Sequence, residues 1–309
     1  MCILSIIKKY FKNVKNVKNV KNITTKTDYY KPHIENNKNE TFISSENIKC
    51  FDNIEKTLYE NNLKIINSLG SGAHSTVYKI MDVSKNEFVC KCVKKHHRRA
   101  GLREISVLNK LKDNEFFPYY QFHLENDSHM LIFTKYNDAK ELFEYVHDLI
   151  DRGELDEQKI IKIFLNMTLA VKELHSLGFL HLDIKMENFI ILKNTDYKIR
   201  LIDFDMCRMY SEDFKKISSP VGTKGYSPIE SYNGFYNNKT DIWSLGVCLW
   251  ILLSHYMPFE HRYISTRVLK NPKNKRFIFS PQEEDVKNIN KDAMDLMKQL
   301  LNIYPNERI

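Results

Sequence analysis

A change of residue pattern at Leu63 constrains the fold of this chain more than any other feature. Short stretches rich in β-branched and aromatic residues follow it, then a helical pattern, then two further strand patterns. The strand patterns are Leu63–Leu69, Thr76–Met81, Glu87–Val93, Tyr119–Leu124 and Met130–Thr134, and the helical residues are Leu102, Ile105, Leu108 and Leu111. Beyond about residue 140 the apolar spacing is that of helices. The pattern predicts an α+β fold with a small β-rich lobe that holds one main helix, followed by a larger, mainly helical lobe.

Two segments of the second half predict long helices. Lys159–Leu177 has a continuous apolar stripe at helical spacing, and Asp241–Ser254 is apolar almost all round. The second pattern is typical of a helix at the centre of a lobe. A β-rich lobe followed by a helical lobe predicts a cleft between them, which is a usual place for a small ligand.

Residues 1–55 are predicted to form a disordered tail rich in Asn and Lys. Residues 13–22 repeat Lys-Asn-Val with a period of three, which fits neither helix nor strand. Of the net charge of +8, seven units are lysines of residues 1–27, so the nearly neutral remainder gives no reason to expect nucleic-acid binding. The first dozen residues could form a basic amphipathic helix on an anionic membrane, with Cys2 acylated. The alternative is a disordered segment that binds other molecules nonspecifically. Both interpretations stay open.

Cysteine spacing and hydropathy predict a cytoplasmic protein, for which a monomer is the simple expectation. The six cysteines form no Cys-x-x-Cys pair, and nearby histidines complete no zinc pattern, which favours a reducing compartment. The apolar stretch Cys2–Ile7 is too short for a signal peptide or a membrane span. The run over 245–253 is soon interrupted by His255 and Pro258, so we expect no transmembrane helix.

A glycine-containing loop, residues 70–75, joins the first two predicted strands. Gly70 and Gly72 would let backbone amides approach phosphate oxygens closely, because no Cβ intervenes. Gly-x-Gly turns join many hairpins, so the loop alone is a weak signal. It leads into a strand at Thr76 instead of a helix, which argues against a dinucleotide-binding unit.

Lys91 lies in the middle of the third predicted strand. Strand alternation places it on the face opposite Cys90 and Cys92. A lysine flanked by apolar residues needs a partner, since burying a lone ammonium is costly. Glu104, expected to open the following helix, is the natural candidate. The alternative at this stage is two unrelated surface charges.

The most specific signal is the segment over 181–188, His-Leu-Asp-Ile-Lys-Met-Glu-Asn, followed by Asp-Phe-Asp at 203–205. Asp183 could accept the proton of an attacking hydroxyl, and Lys185 could neutralise charge on a phosphoryl group. Asn188 and Asp203 carry oxygens of the kind that Mg²⁺ takes as ligands. A base, a cation and a metal ligand within six residues have few purely structural uses.

In this order the motifs resemble those of eukaryotic protein kinases of the serine/threonine type, over about residues 63–309. Within that family, the general character of the sequence is similar to the calcium/calmodulin-dependent-like and cyclic-nucleotide-dependent-like groups. The resemblance implies a bilobal kinase domain over 56–309, with an N-lobe of about 63–136 and a C-lobe of about 137–309. The last helix of the family is expected to be missing or unusually short.

By resemblance, the chain would transfer the γ-phosphoryl of ATP to Ser or Thr hydroxyls of proteins, with Mg²⁺ for which Mn²⁺ can substitute. Asp183 and Lys185 match the catalytic positions, and Asn188 and Asp203 match the metal ligands. The ATP-binding positions are Gly70, Ser71, Gly72, Ala73, His74, Ser75, Val77, Val89, Lys91, Glu104, Thr134, Tyr136, Glu141 and Ile190. The activation-segment and structural positions are Thr223, Glu230, Asp241 and Arg308.

Several positions depart from the family pattern. Ser75 replaces the third glycine of the loop, and Val89 replaces a small alanine above the adenine. Asp205 replaces a glycine, so we expect backbone strain of about 1 kcal/mol or more there and altered switching. Ser75, Asp205 and the expected shortness of the C-terminus leave a nucleotide-binding pseudokinase scaffold as the alternative to an active kinase.

Two further expectations concern regulation and specificity. Leu182 replaces the arginine that in many relatives pairs with an activation-loop phosphate, so phosphorylation at Ser211, Ser218 or Ser219 should matter little. Glu141 and Glu187 match positions that attract basic residues preceding the target. The chain is therefore predicted to prefer arginine upstream of the phosphorylated residue.

Overall fold

The computed structural model describes residues 45–72, 75–259, 279 and 289–309. They form two compact units. The sheet unit contains residues 45–138 and 203–205, and the helical unit contains 139–202 and the described residues from 206 onward. The predicted α+β composition, with a β-rich part followed by a helical part, is confirmed. The predicted membrane-contact segment over 1–27 lies outside the described residues, as do Ala73 and His74.

The sheet unit begins with helix α1, Ser45–Glu60. The predicted boundary of the tail at residue 55 falls inside this helix, and the disorder expected up to that boundary is wrong for residues 45–55. Ile54 and Leu58, one turn apart, are 5% and 1% exposed and belong to the apolar core of the sheet unit. The helix is stable there because its apolar face packs against other elements, which the polar composition of the segment concealed.

A five-stranded antiparallel sheet forms the body of the sheet unit, in the order β1-β2-β3-β5-β4. All five strand patterns of the sequence are confirmed. The strands are β1 Leu63–Ser71, β2 Ser75–Asp82, β3 Glu87–Lys94, β4 Tyr120–Glu125 and β5 His129–Lys135. Alternation along β3 buries Cys90 and Cys92, while Lys91 faces the other way, as predicted.

Helix α2, Arg98–Leu111, follows β3. Ile105, Leu108 and Leu111 are buried as predicted, whereas Leu102 is 39% exposed. Gly101 allows the helix to approach the sheet closely, because a Cβ there would lie 2.8 Å from the sulfur of Met130. Glu104 lies in the middle of this helix, so the expectation that it opens the helix is wrong.

The helical unit is built on four helices within the described residues: α3 Leu142–Asp151, α4 Glu157–Ser176, α5 Asn238–Ser254 and α6 Lys291–Leu300. Helix α5 is buried on nearly all sides, which confirms its predicted central place. Its N-terminus is held by a capping box between Asn237 and Thr240. Where the chain is described, no helix combines the length and apolar character needed to cross a bilayer.

Short paired strands connect the loops of the helical unit by backbone hydrogen bonds. A three-stranded sheet has the order β6-β8-β9, and two small ladders pair β7 with β10 and β11 with β12. These strands are β6 Ala139–Glu141, β7 Phe179–Leu180, β8 Phe189–Leu192, β9 Ile199–Leu201, β10 Arg208–Met209, β11 Lys215–Lys216 and β12 Phe235–Tyr236. The segment over 181–188 therefore lies between two paired strands, β7 and β8. In the segment over 206–230, β10 pairs with β7 and β11 pairs with β12, both in its first half.

Candidate active site

Lys91 is the centre of an ion-pair cluster in the sheet unit. Its Nζ lies 2.7 Å from Oε2 of Glu104 and 2.6 Å from Oδ1 of Asp203. The side chains of Lys91 and Glu104 are only 16% and 6% exposed. The predicted Lys91–Glu104 pair is confirmed, and the alternative of two unrelated surface charges is wrong.

The surrounding charges keep Lys91 protonated. Burial by itself lowers the pKa of Lys91, but the carboxylates of Glu104, Asp203 and Asp205 outweigh burial and hold it above its ordinary value. Burial also raises the pKa of Glu104, against the opposing effect of Lys91. A fixed cation beside carboxylates is an arrangement that suits the binding of phosphate groups and of a divalent metal ion.

The backbone conformation of the Asp-Phe-Asp segment differs from the expectation. Asp203 adopts the left-handed region with φ 67°, and Asp205 is not among the described residues with positive φ. The strain predicted at Asp205 is therefore wrong, because a residue with negative φ has no need of glycine. Phe204 is fully buried and packs edge-to-face on Phe117 with 5.9 Å between ring centroids. Its burial fixes the segment in place.

Asp183 lies at the centre of a second polar cluster, in the helical unit. Its Oδ1 accepts a hydrogen bond of 2.6 Å from the Thr223 hydroxyl, and its Oδ2 lies 3.0 Å from Nζ of Lys185. Lys185 also donates to Thr223 at 3.1 Å. Asn188 donates through Nδ2 to the backbone carbonyl and to Oδ2 of Asp183, at 2.8 and 3.1 Å. The structure thus brings the predicted base, the predicted cation and Asn188 together, with Thr223 beside them.

Asp241 of α5 holds the backbone of this loop. Its Oδ1 accepts from the amide of Leu182 at 2.8 Å, and its Oδ2 accepts from the amide of His181 at 2.9 Å. His175, near the end of α4, places its Nε2 2.8 Å from the same Oδ2. Burial alone would raise the pKa of Asp241, but the hydrogen bond and charge interaction with His175 and the His181 amide lower it. The anion is thereby stabilised inside the protein.

His175 is a site residue that the sequence did not reveal. It belongs to the last turn of a long amphipathic helix, where a histidine carries no motif. Its partner Asp241 lies 66 positions further along the chain. Only the packing of α4 against α5 brings the two side chains together.

The segment that follows Asp203 ends in close contact with the Asp183 loop. Gly222 has φ 81°, and a Cβ there would lie 2.6 Å from the carbonyl oxygen of Leu182. Leu182 itself is buried in an apolar cluster with Leu180, Val221 and Tyr236. Further along, Glu230 pairs with Arg308 at 2.5 Å, as predicted.

Glu141 and Glu187 form an acidic pair in the helical unit. Burial, followed by the charge of Glu187, raises the pKa of Glu141 to about 7. Burial likewise raises the pKa of Glu187, against the opposing charge of Lys185. Ile190, another predicted site residue, lies opposite Glu141 where β8 pairs with β6. Two carboxylates that repel each other and are partly withheld from water favour the arrival of a cation.

The remaining predicted ATP-binding residues of the described sheet unit share one face or its adjoining loops. Val77 pairs with Lys91 across β2 and β3, and Val89 pairs with Thr134 across β3 and β5. Tyr136 follows β5 and lies under Nζ of Lys79, at 4.0 Å from the ring centroid. The loop at Gly70, Ser71 and Gly72 returns through a hydrogen bond of 2.8 Å from the Gly72 amide to the Ser75 carbonyl.

Comparison with known proteins identifies the class to which this fold and these clusters belong. The family model of the protein kinase domain matches residues 63–309, and the chain is a member of the protein kinase family. A probable serine/threonine-protein kinase of Dictyostelium discoideum is 28% identical over 214 residues, covering 69% of this chain. Serine/threonine-protein kinase cds1 of Schizosaccharomyces pombe is 26% identical over 264 residues, covering 80% of this chain. The matched regions span 24% and 55% of the lengths of these two relatives.

Proposed function

We propose that this chain is an active protein kinase that transfers the γ-phosphoryl group of ATP to serine or threonine hydroxyls of other proteins. One observation carries the proposal above all. The carboxylate of Asp183 lies within 3.1 Å of the side chains of Lys185, Asn188 and Thr223. The similarity to curated serine/threonine-protein kinases supports the same class of acceptor.

Each residue then has a definite task. The attacking hydroxyl gives its proton to Asp183 as its oxygen forms a bond to the γ-phosphorus, and the bond from that phosphorus to the bridging oxygen breaks to release ADP. Lys185 stabilises negative charge on the phosphoryl oxygens, and Lys91, held by Glu104, binds the phosphates of ATP. Catalysis of this kind rests mainly on positioning and electrostatic stabilisation.

Asn188 and Asp203 each carry an oxygen of the kind that a magnesium ion takes as a ligand. The side chain of Asn188 donates through its nitrogen to Asp183, which leaves its oxygen as the ligand atom, and Asp203 supplies a carboxylate. Hard cations such as Mg²⁺ take oxygen ligands of these two kinds, and Mn²⁺ is accepted by the same set. When bound, the ion neutralises charge on the ATP phosphates.

One argument for the pseudokinase alternative, the replacement of a glycine by Asp205, is weakened. Asp205 keeps a negative φ, so the replacement of glycine does not distort the backbone there. All six residues that the proposed chemistry needs are present and make the contacts described above: Lys91, Glu104, Asp183, Lys185, Asn188 and Asp203. A scaffold that had lost its chemistry would have no need of this complete set.

Asp183→Asn tests the proposal directly. We expect the wild-type chain, given labelled ATP and Mg²⁺, to phosphorylate a generic basic protein on serine or threonine. The amide cannot accept the proton, so Asp183→Asn should lower kcat by about 10²–10⁴-fold with little change in ATP binding. The matched control is Asp196→Asn, an exposed carboxylate that pairs with Lys162. An inactive wild type that binds ATP would favour the pseudokinase.

Substrate preference is the finer part of the proposal. The raised pKa of Glu141 and the neighbouring charge of Glu187 indicate a site that gains stability when a cation enters. An arginine upstream of the target residue is the peptide group that matches this pair. A peptide library phosphorylated without any basic selectivity would contradict the preference.

The cellular setting is also proposed. We expect a cytoplasmic monomer that acts on protein substrates and not on nucleic acid, with weak membrane contact through the lysines of residues 1–27. Co-sedimentation with vesicles of phosphatidylserine, compared with neutral vesicles, tests the membrane contact. Binding that is lost when the lysines are replaced by glutamine would support it, and equal binding to both vesicle types would contradict it.

A further inference from the structure

Helix α1 packs on one face of the five-stranded sheet, although it precedes the region that matches the protein kinase family. Ile54 and Leu58 join a continuous buried cluster to which four of the strands contribute. The other buried members of the cluster are Leu63, Ile80, Cys90, Cys92, Leu131 and Phe133. The helix is thus part of the core of the sheet unit and not a mere connection to it.

The covered face is the reverse of the face that carries Lys91. In β3, Cys90 and Cys92 point into the cluster, with 3.7 Å between their sulfur atoms. Lys91, between them, points to the opposite face, where it pairs with Glu104 of α2. The sheet is therefore held between α1 and α2, and the strand that carries Lys91 is packed on both sides.

A polar latch fastens α1 to the turn between β4 and β5. The side-chain amide of Asn126 donates to the carbonyl of Asn53 at 3.2 Å and to the hydroxyl of Thr57 at 2.9 Å. The other end of the same side chain accepts from the amides of Ser128 and His129, at 2.9 and 2.7 Å. One asparagine thus joins the helix to the sheet by directional bonds in addition to apolar contact.

We propose that α1 is a positioning element for Lys91, so that the functional kinase domain of this chain includes the helix and does not begin at residue 63. The proposal rests on the proposed role of Lys91 in ATP binding. Without α1, the apolar face that contains Cys90 and Cys92 would meet water, and β3 would lose the packing that fixes its position. A displaced strand moves the Lys91 ammonium away from the phosphates that it binds.

The test uses the full chain with Leu58→Ala, which opens a cavity beneath the sheet, and with Thr57→Val, which removes one of the two acceptors of the latch. Leu58→Ala should lower Tm by roughly 5–10 °C. It should also speed the labelling of Cys90 and Cys92 by a thiol reagent at least about tenfold, read by mass spectrometry, because local opening exposes them. The KM for ATP should rise by about threefold or more while the KM for the peptide stays unchanged. Thr57→Val should change the three quantities in the same direction, by less.

Two controls separate positioning from general stability. Tyr59→Ala alters a side chain of the same helix that is 83% exposed, and should change none of these quantities. Leu296→Ala removes a buried leucine of α6 in the helical unit, and should lower Tm without changing the KM for ATP or the labelling of Cys90 and Cys92. If Leu58→Ala behaved like Leu296→Ala, α1 would be no positioning element and the proposal would be overturned.

Failure of the proposed function can be told apart from failure of this inference. If the wild-type chain transferred no phosphate, the dissociation constant of a fluorescent ATP analogue would replace the KM, and a weaker affinity in Leu58→Ala would still support the inference. If the wild-type chain bound no nucleotide, both proposals would be overturned. Unchanged labelling of Cys90 and Cys92 in Leu58→Ala would overturn the inference alone.

Discussion

The guanidinium of Arg308 forms two hydrogen bonds with the carboxylate of Glu230, at 2.5 and 3.1 Å, across 78 positions of the chain. The Arg308 side chain is completely buried, and that of Glu230 is 11% exposed. The guanidinium carbon also lies 4.8 Å from the ring centroid of Trp243 in α5. This pair joins the end of the described chain to the segment that follows Gly222.

Loss of the Glu230 charge should destabilise the protein strongly. Glu230→Gln leaves the buried guanidinium without its counter-charge, and we expect the free energy of unfolding to fall by about 3–5 kcal/mol. Urea denaturation followed by tryptophan fluorescence measures it. The control is Glu60→Gln, whose pair with Lys56 has side chains 59% and 74% exposed and should contribute almost nothing. Equal effects of the two substitutions would contradict the structural role of the Arg308 pair.

Recognition of an arginine-containing peptide should depend on pH. With its pKa raised to about 7, Glu141 gains its charge as the pH rises through about 7. Because the cationic peptide binds the ionised form, its KM should fall by up to about tenfold between about pH 6 and about pH 8. Steady-state kinetics over this range measures the change.

Two comparisons show whether Glu141 is responsible. In Glu141→Gln the KM for the arginine peptide should be high and nearly independent of pH, because the amide does not titrate. A peptide with alanine in place of the arginine should show no such trend with the wild-type chain. A trend that persists in Glu141→Gln would assign the titration to another group.

Activation-segment phosphorylation should matter little. Leu182 is buried with Leu180, Val221 and Tyr236, and its side chain carries no charge that could pair with a phosphate. Replacing Ser211, Ser218 and Ser219 together by alanine should leave kcat within about twofold of the wild-type value. Phosphatase-treated wild type is the control and should behave alike. Abolished turnover in the triple variant would show that a phosphate is required.

Asp205→Gly should not stabilise the protein. Asp205 has a negative φ, so glycine would add conformational freedom to the unfolded chain, and it would also remove a carboxylate that stabilises the protonated Lys91. The free energy of unfolding should therefore fall by at least about 0.5–1 kcal/mol. The matched control is Asp113→Gly, since Asp113 is exposed and has φ 66°, where glycine is preferred. That variant should be neutral or more stable. A stabilised Asp205→Gly would restore the view that this position is strained.

Much of the architecture could be predicted from the spacing of apolar residues along the chain. The strands of the sheet and the helices α2, α4 and α5 were predicted from apolar spacing, because period and burial are linked for neighbouring residues. The expectation of disorder for the segment that contains α1 failed because a local pattern does not show contacts with distant residues. The helical face of this segment is short, and the cluster that stabilises it comes from strands further along the chain.

The sequence by itself determined which residue types stand in which order: the loop at Gly70, the lysine of β3, the segment around Asp183 and the aspartate at 203. Their spacing is covalent, so no folding is needed to read it. Only the tertiary structure decided that Asp241 binds the amides of His181 and Leu182, that His175 joins it, and that the left-handed residue is Asp203 and not Asp205. These contacts join residues tens of positions apart or depend on a backbone angle, and both are set by how the elements pack and not by the pattern of near neighbours.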